Sequence, residues 1–202
     1  MIEQAASLSP MSDGGWLIVG STNDLGGAGG YDGLLIRTDP IGQVLWQRSY
    51  GGSDWDLFHG GATLPDGGAI IAGETYSEGA GGDAWLVRTD ENGDTLWTRH
   101  FGGQESDVAS SVKPTSDGGY AFAGSTIGSD GGENAYVVRV NEFGDTLWTR
   151  SVGGDSLDLG RDIVQTQDGG FSVVGQTASF SQWSEHYHFK LDASGALQWQ
   201  KH

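Results

Sequence analysis

The chain contains no cysteine. This excludes a disulfide framework, thiol chemistry and cysteine-ligated metal, and it leaves the redox compartment open. Cations are scarce: three Lys and seven Arg stand against 19 Asp and eight Glu, for a formal net charge of −17. Such a surface repels phosphate backbones and anionic headgroups, so neither nucleic-acid binding nor membrane docking is expected. No apolar run approaches the length of a spanning helix, so no membrane insertion is expected either. The first residues, MIEQAASLSPMSDGG, lack a basic start and an apolar centre and do not read as a signal peptide. The expectation is a cytoplasmic chain or a piece of a longer exported protein.

What is abundant is glycine, 36 of 202 residues, spread without a three-residue period, together with eight Trp. The glycine points to many tight turns, and the aromatic content argues against disorder. The arrangement is periodic. Trp46, Trp97, Trp148 and Trp199 are 51 residues apart, and the Asp-Gly-Gly turns at Asp13, Asp66, Asp117 and Asp168 are separated by 53, 51 and 51. The two extra residues fall in the first copy, within TNDLGGAGGYDG. Each copy reads as four short alternating segments, in the third copy DVASSVKPT, YAFAGST, AYVVRV and TLWTRSV. Their β-branched and aromatic residues predict strands. Asp-Gly-Gly joins the first to the second, and Asp/Asn-x-x-Gly joins the third to the fourth, both tight-turn chemistry. A longer Gly- and acid-rich loop joins the second to the third.

Four antiparallel strands in about 51 residues is the blade of a β-propeller. The sequence therefore predicts an all-β propeller spanning residues 1–202, with blades at about 1–50, 51–101, 102–152 and 153–202. The recurring Trp sits on the outermost strand of each copy, where its indole can dock between neighbouring blades. Each copy is continuous in sequence, so two modes of closure stand open. The chain closes as a four-bladed ring, a monomer, which is slightly favoured, or two copies complete an eight-bladed ring.

VRTDENGDTLW resembles the tryptophan-docking repeat of quinoprotein (PQQ-like) propellers, and the paired glycines resemble kelch repeats. The likeness is strongest to the Gly-rich propeller repeats of bacterial and archaeal surface or secreted proteins, which carry DGGY-x-x-AG and D-x-x-G-x-x-LW. The fourth copy departs from it, with Gln198 before Trp199 and no following Gly-Gly. The resemblance implies the propeller architecture and an extracellular or cell-surface origin, and it implies little about activity.

Alternating strand direction puts the loops between blades on the same face as the loops between second and third strands. That face collects Asp24, Asp32, Asp54, Asp56, Glu78, Asp83, Glu105, Asp107, Asp130, Glu133, Asp155, Asp158 and Glu185. It is the expected binding face for a protein or glycan partner, weighed against simple hydration of the surface. Glu3, Asp56, Asp107 and Asp158 take equivalent places at the start of each innermost strand and would circle a central channel. Such a circle could take a calcium ion, or each carboxylate could cap its own loop amides. His186 and His188 share a strand face and are weak candidates for a transition metal against drift in a terminal copy. Arg37, Arg88, Arg139 and Lys190 are equivalent and suit ion pairs with flanking acids. DENGD at Asp90–Asp94 lacks the later bidentate Glu of an EF-hand and reads as a turn.

No nucleophile–base motif is present, and GGAGG precedes no helix that would make it a phosphate loop. The loops are near-copies of one another, which does not support a quinone cofactor. The expected role is thus a non-enzymatic binding or adhesion scaffold. The alternatives are a carbohydrate-binding module, for which Trp55, Tyr76 and Trp183 are the loop aromatics, or a structural repeat unit with no ligand. An enzymatic relative of the quinoproteins ranks behind these.

Overall fold

The computed structural model describes residues 3–24, 30–78, 81–128, 131–181 and 183–202. The first sheet is β1 (Glu3–Pro10), β2 (Trp16–Thr22), β3 (Asp32–Thr38) and β4 (Val44–Tyr50). The second is β5 (Asp56–Thr63), β6 (Ala69–Thr75), β7 (Asp83–Thr89) and β8 (Thr95–Phe101). The third is β9 (Asp107–Pro114), β10 (Tyr120–Ile127), β11 (Glu133–Val140) and β12 (Thr146–Val152). The fourth is β13 (Asp158–Gln165), β14 (Phe171–Thr177), β15 (Glu185–Leu191) and β16 (Leu197–Lys201). Within each sheet the strands lie in chain order and pair antiparallel. This is the all-β, four-sheet organisation that the repeats predict.

Strand alternation gives each sheet two apolar faces, and each face meets a different neighbour. Leu17, Val19 and Leu35 of the first sheet pack on Phe58, Ile71 and Val87 of the second. The other face of the second sheet, with Ile70, Ala72 and Leu86, packs on Phe122 and Val138 of the third. Ala121, Ala123 and Val137 then pack on Ile163, Val173 and Phe189 of the fourth. The core is therefore three slabs between sheets, as blades require. No comparable packing joins the fourth sheet to the first among the described residues.

Two glycines of each copy have clear steric causes. In Asp66-Gly67-Gly68, Gly67 has φ of +85°, which closes the β5–β6 hairpin. A side chain on Gly68 would overlap the Thr89 carbonyl and the Arg88 guanidinium. That space is needed because Arg88, buried, donates to the Thr89 carbonyl and to Asp66. Asp66 in turn accepts the Gly68 amide at 3.1 Å. Arg37 with Asp13, Arg139 with Asp117 and Lys190 with Asp168 repeat the clamp. The ion pairs expected for these cations thus fall on the Asp of the hairpin turn, at the end of the sheet opposite the acidic loops.

Each first strand carries a bulge, between Ala5 and Ser7, Phe58 and Gly60, Ala109 and Ser111, and Gly160 and Asp162. Short strand patterns do not announce it. Its trace in the sequence is the second-strand glycine, Gly73 in the second copy, where a β-carbon would overlap the Leu57 carbonyl.

Three of the repeated Trp lie against the next sheet, half-buried rather than enclosed. Trp46 lies against Gly93 in the next sheet's β7–β8 turn, Trp97 against Gly144 and Trp148 against Gly195. The indole nitrogens of Trp97 and Trp148 donate to the Glu142 and Ala193 carbonyls, both at 3.2 Å. Arg48, Arg99 and Arg150 lie over the three rings at 5.8, 5.6 and 5.9 Å. Trp199 makes no such contact among the described residues.

Two stability outcomes follow from these contacts. Trp97→Ala is expected to cost about 2 kcal/mol, below the 3–5 typical of an enclosed aromatic, and Trp199→Ala well under about 1. Urea midpoints of the two variants check this, and equal losses would contradict the docking. Gly68→Ala is expected to cost about 2 kcal/mol by the same measurement, because backbone must move to admit the methyl.

Candidate functional site

The loops at the starts of β5, β7, β9 and β13 share one end of the sheets, as the acidic-face expectation requires. Burial divides the acids of this face into three kinds. Asp24, Asp54, Glu78, Glu105, Asp155 and Glu185 are exposed. Asp32, Asp56, Asp107 and Asp158 are buried, and Asp83 and Glu133 are half-buried. Asp130 lies outside the described residues, as does most of the GGAGG segment.

The buried group is built into the loops. Asp56 accepts the Gly52 amide and the Ser77 hydroxyl, each at 2.7 Å, and the Thr75 hydroxyl. Asp107 accepts the Gly103 amide at 2.9 Å. Asp158 accepts the Gly154 amide at 2.7 Å and the Ser179 hydroxyl at 2.6 Å. One oxygen of Asp107 and one of Asp158 have no such partner. Thr126 and Thr177 stand opposite them in register, where Thr75 serves Asp56. Glu3 is exposed and does not share the arrangement. No group of three or more His, Asp or Glu converges to hold a metal among the described residues.

A second carboxylate approaches each of two caps. Asp32 and Asp56 both reach the space beside Gly51, and Asp83 and Asp107 both reach the space beside Gly102. In the third copy an amide takes the place of the second acid: Asn134 meets Asp158 beside Gly153. Burial pushes the Asp32 carboxyl above the usual carboxylate range, and Asp56 adds to the shift. Burial also raises Asp83, opposed by His100 and reinforced by Asp107.

The exposed residues form a different feature. Trp55 precedes β5 and Tyr76 follows β6, and their backbones are joined by a Tyr76 N–H to Trp55 carbonyl bond of 2.8 Å. The two side chains border a cleft with Asp54. Trp55 is 54% exposed and Tyr76 is 40% exposed. Each ring is backed by a glycine: a β-carbon at Gly30 would overlap Trp55, and one at Gly82 would stand 2.6 Å from Tyr76. Tyr31 meets Trp55 edge-on, with ring centroids 5.8 Å apart. The Tyr76 hydroxyl donates to Glu74 at 3.1 Å, and Glu74 also meets His59 at 3.1 Å. The rings are thus held from behind and open in front, beside carboxylates. Trp55 has no counterpart in the other copies, so periodicity does not find this site. Exposure, which sequence does not give, does.

Trp183 is also exposed. His186 is exposed on β15, while His188 bonds the Ser172 hydroxyl at 2.8 Å and meets Trp199 edge-on at 4.9 Å. His188 therefore has a structural partner in its own sheet.

No family model matches the chain, and no curated protein does. Solved structures do resemble it. The WD40 domain of Pan2 from Neurospora crassa matches at 11% identity and a TM-score of 0.56, over 98% of this chain and 65% of that one. Sqt1 from Chaetomium thermophilum matches at 14% and 0.50, over 96% and 44%. A Bacteroides caccae protein of unknown function matches at 13% and 0.41, over 98% and 81%. The chain thus spans 65% and 44% of the Pan2 and Sqt1 chains. At these identities the likeness shows the fold: a propeller-type array of four-stranded blades.

The carboxylate pairs yield a test. A raised pKa means that the native state takes up protons the unfolded chain does not. Asp83 therefore costs stability above its folded pKa, and the cost is relieved as pH falls. Asp83→Asn, which copies the third repeat, is expected to raise the urea midpoint at neutral pH by less than about 1 kcal/mol. The gain should close as pH falls through the carboxylate range. A variant less stable than the parent at neutral pH would contradict this assignment.

Proposed function

We propose that the protein is a non-enzymatic propeller-type scaffold that binds a basic protein segment through its acidic loop face. The observation that carries this reading is the Trp55–Tyr76 cleft. Two exposed, glycine-backed rings stand beside Asp54 and Glu74 on a rigid sheet end. Aromatic faces attract Lys and Arg side chains, and carboxylates beside them strengthen the attraction. The net charge of −17 would draw such a partner in from a distance. Buried Asp56, Asp107 and Asp158 serve this face by fixing its loops, with exposed acids making the contacts. The motif resemblance supports an extracellular or cell-surface setting.

The same rings favour a second reading, a carbohydrate-binding module, because sugar faces also stack on indole. Immobilised Lys/Arg-rich peptides and neutral oligosaccharides separate the two. The proposal expects peptide capture that weakens with salt and falls about tenfold in Trp55→Ala, a loss of about 1.4 kcal/mol. Peptide binding that ignores Trp55→Ala, or no peptide capture at all, overturns it. Salt-insensitive oligosaccharide capture that is lost in Trp55→Ala selects the second reading.

A further inference from the structure

Three of the four docking tryptophans are engaged, and the fourth is not. Trp46, Trp97 and Trp148 each cover the β-turn glycine of the following sheet, with indole atoms 2.9 to 3.0 Å from the β-carbon positions at Gly93, Gly144 and Gly195. Trp199 is 40% exposed and covers no turn glycine among the described residues. Correspondingly, one of the four turns is uncovered. At Gly42 nothing stands within 4 Å of the β-carbon position. The vacancies extend further. Trp97 and Trp148 meet Tyr120 and Phe171, the first residues of the next sheet's second strand, edge-on at 5.9 and 5.5 Å. The equivalent residue of the first sheet is Trp16, which is 38% exposed.

The sheet faces behind these residues agree. Ile18, Leu34 and Ile36 of the first sheet occupy the positions of Ile71, Trp85 and Val87, which bury the preceding slab in the second. Here they line a cleft of about 260 Å³, with Leu34 buried and Ile18 and Ile36 half-buried, and no other sheet packs there among the described residues. On the fourth sheet Val174 takes the place of Ala72 and Ala123, both fully buried, yet is 47% exposed. Among the described residues, the first and fourth sheets therefore each carry one half of the internal interface without the other half packed on it.

We propose that the two ends join copies of this chain head to tail. The fourth sheet of one copy packs on the first sheet of a second. Trp199 covers Gly42, meets Trp16 edge-on and donates its indole N–H to the Pro40 carbonyl, as Trp97 does to Glu142. Lys201 faces the Ile41 carbonyl, as Arg99 faces that of Phe143 at 2.9 Å. Continuity with the three internal interfaces selects a second copy as occupant, because the pairing reuses surfaces the chain already matches. The fourth-sheet face is more polar than its internal counterparts, with His188 in place of Leu86 and Val137, which makes the contact a reversible one. A head-to-tail contact closes into a ring when its rotation permits and otherwise elongates.

Light scattering after size exclusion tests this, read up to about 100 μM so that a micromolar contact is saturated. The parent chain is expected to exceed 21.3 kDa increasingly with concentration, while Trp199→Ala and Ile36→Asp each stay at that mass. Both altered residues lie on an end face, and unchanged circular dichroism confirms that the variants are folded. Mixing the two variants restores one good end on each and should give a species of twice 21.3 kDa that grows no further. A parent mass of 21.3 kDa at every concentration overturns the proposal, and a lowered melting midpoint for Trp199→Ala would then point to closure within one chain. Association that survives Trp199→Ala also overturns it.

Discussion

The structure depends on a single constraint: a four-stranded sheet with two apolar faces cannot bury either by itself. Ile71 and Val87 point one way from the second sheet, and Ile70 and Leu86 point the other. The second and third sheets are each the filling between two others, so the slabs between sheets, not the sheets themselves, are the cores. This is why the sequence repeats. A face shaped to receive a neighbour is most simply matched by another copy of the same unit, and stability accrues interface by interface.

Once the sheets stack, their two ends become different chemical problems. At the hairpin end, a buried guanidinium must be neutralised beside backbone carbonyls. Asp66 and its equivalents do this from the turn itself, and Gly68 keeps the space clear. At the loop end, a carboxylate is the buried group, and it is satisfied by the amide four residues before it and by hydroxyls of the neighbouring loop. Charge of opposite sign is thus buried at opposite ends of each blade. Desolvation makes each arrangement costly to break and weakly stabilising in net terms. Its effect is to fix which loop conformation accompanies each sheet. That gives the exposed residues between the caps a rigid base.

The sequence made the fold legible because the periodic residues are the ones that packing and turns require. The spacing of Trp46, Trp97, Trp148 and Trp199 marked the outer strands, and the Asp-Gly-Gly turns marked the hairpins. The clamp partners of Arg37, Arg88, Arg139 and Lys190 were less visible, because the pairs are 22 to 24 residues apart and only the pleat brings them together. The equivalence of Glu3 with Asp56, Asp107 and Asp158 was read from position alone. Glu3 differs in being exposed, because no sheet packs on that side of the first sheet's inner strand among the described residues. Trp55 and Tyr76 could be noted as loop aromatics, but their joint placement depends on a backbone bond between two loops and on the glycines behind them. Neither has a sequence period.

Differences among the copies then separate positions that the fold requires from positions that it does not. Where two acids crowd one cap, the third copy substitutes Asn134 for the second acid, as expected of a position whose charge the fold does not need. On the fourth-sheet face that meets no other sheet among the described residues, His188 and Ser172 stand where internal copies bury aliphatic side chains, and the pair satisfies its own hydrogen bond. Both substitutions relieve a physical cost. Trp55 relieves none. It exposes a large apolar surface to water in one copy, and the fold gains no slab, cap or clamp from it. That asymmetry, together with the acidity shared by all the loops, is what supports the proposed role of the Trp55–Tyr76 cleft.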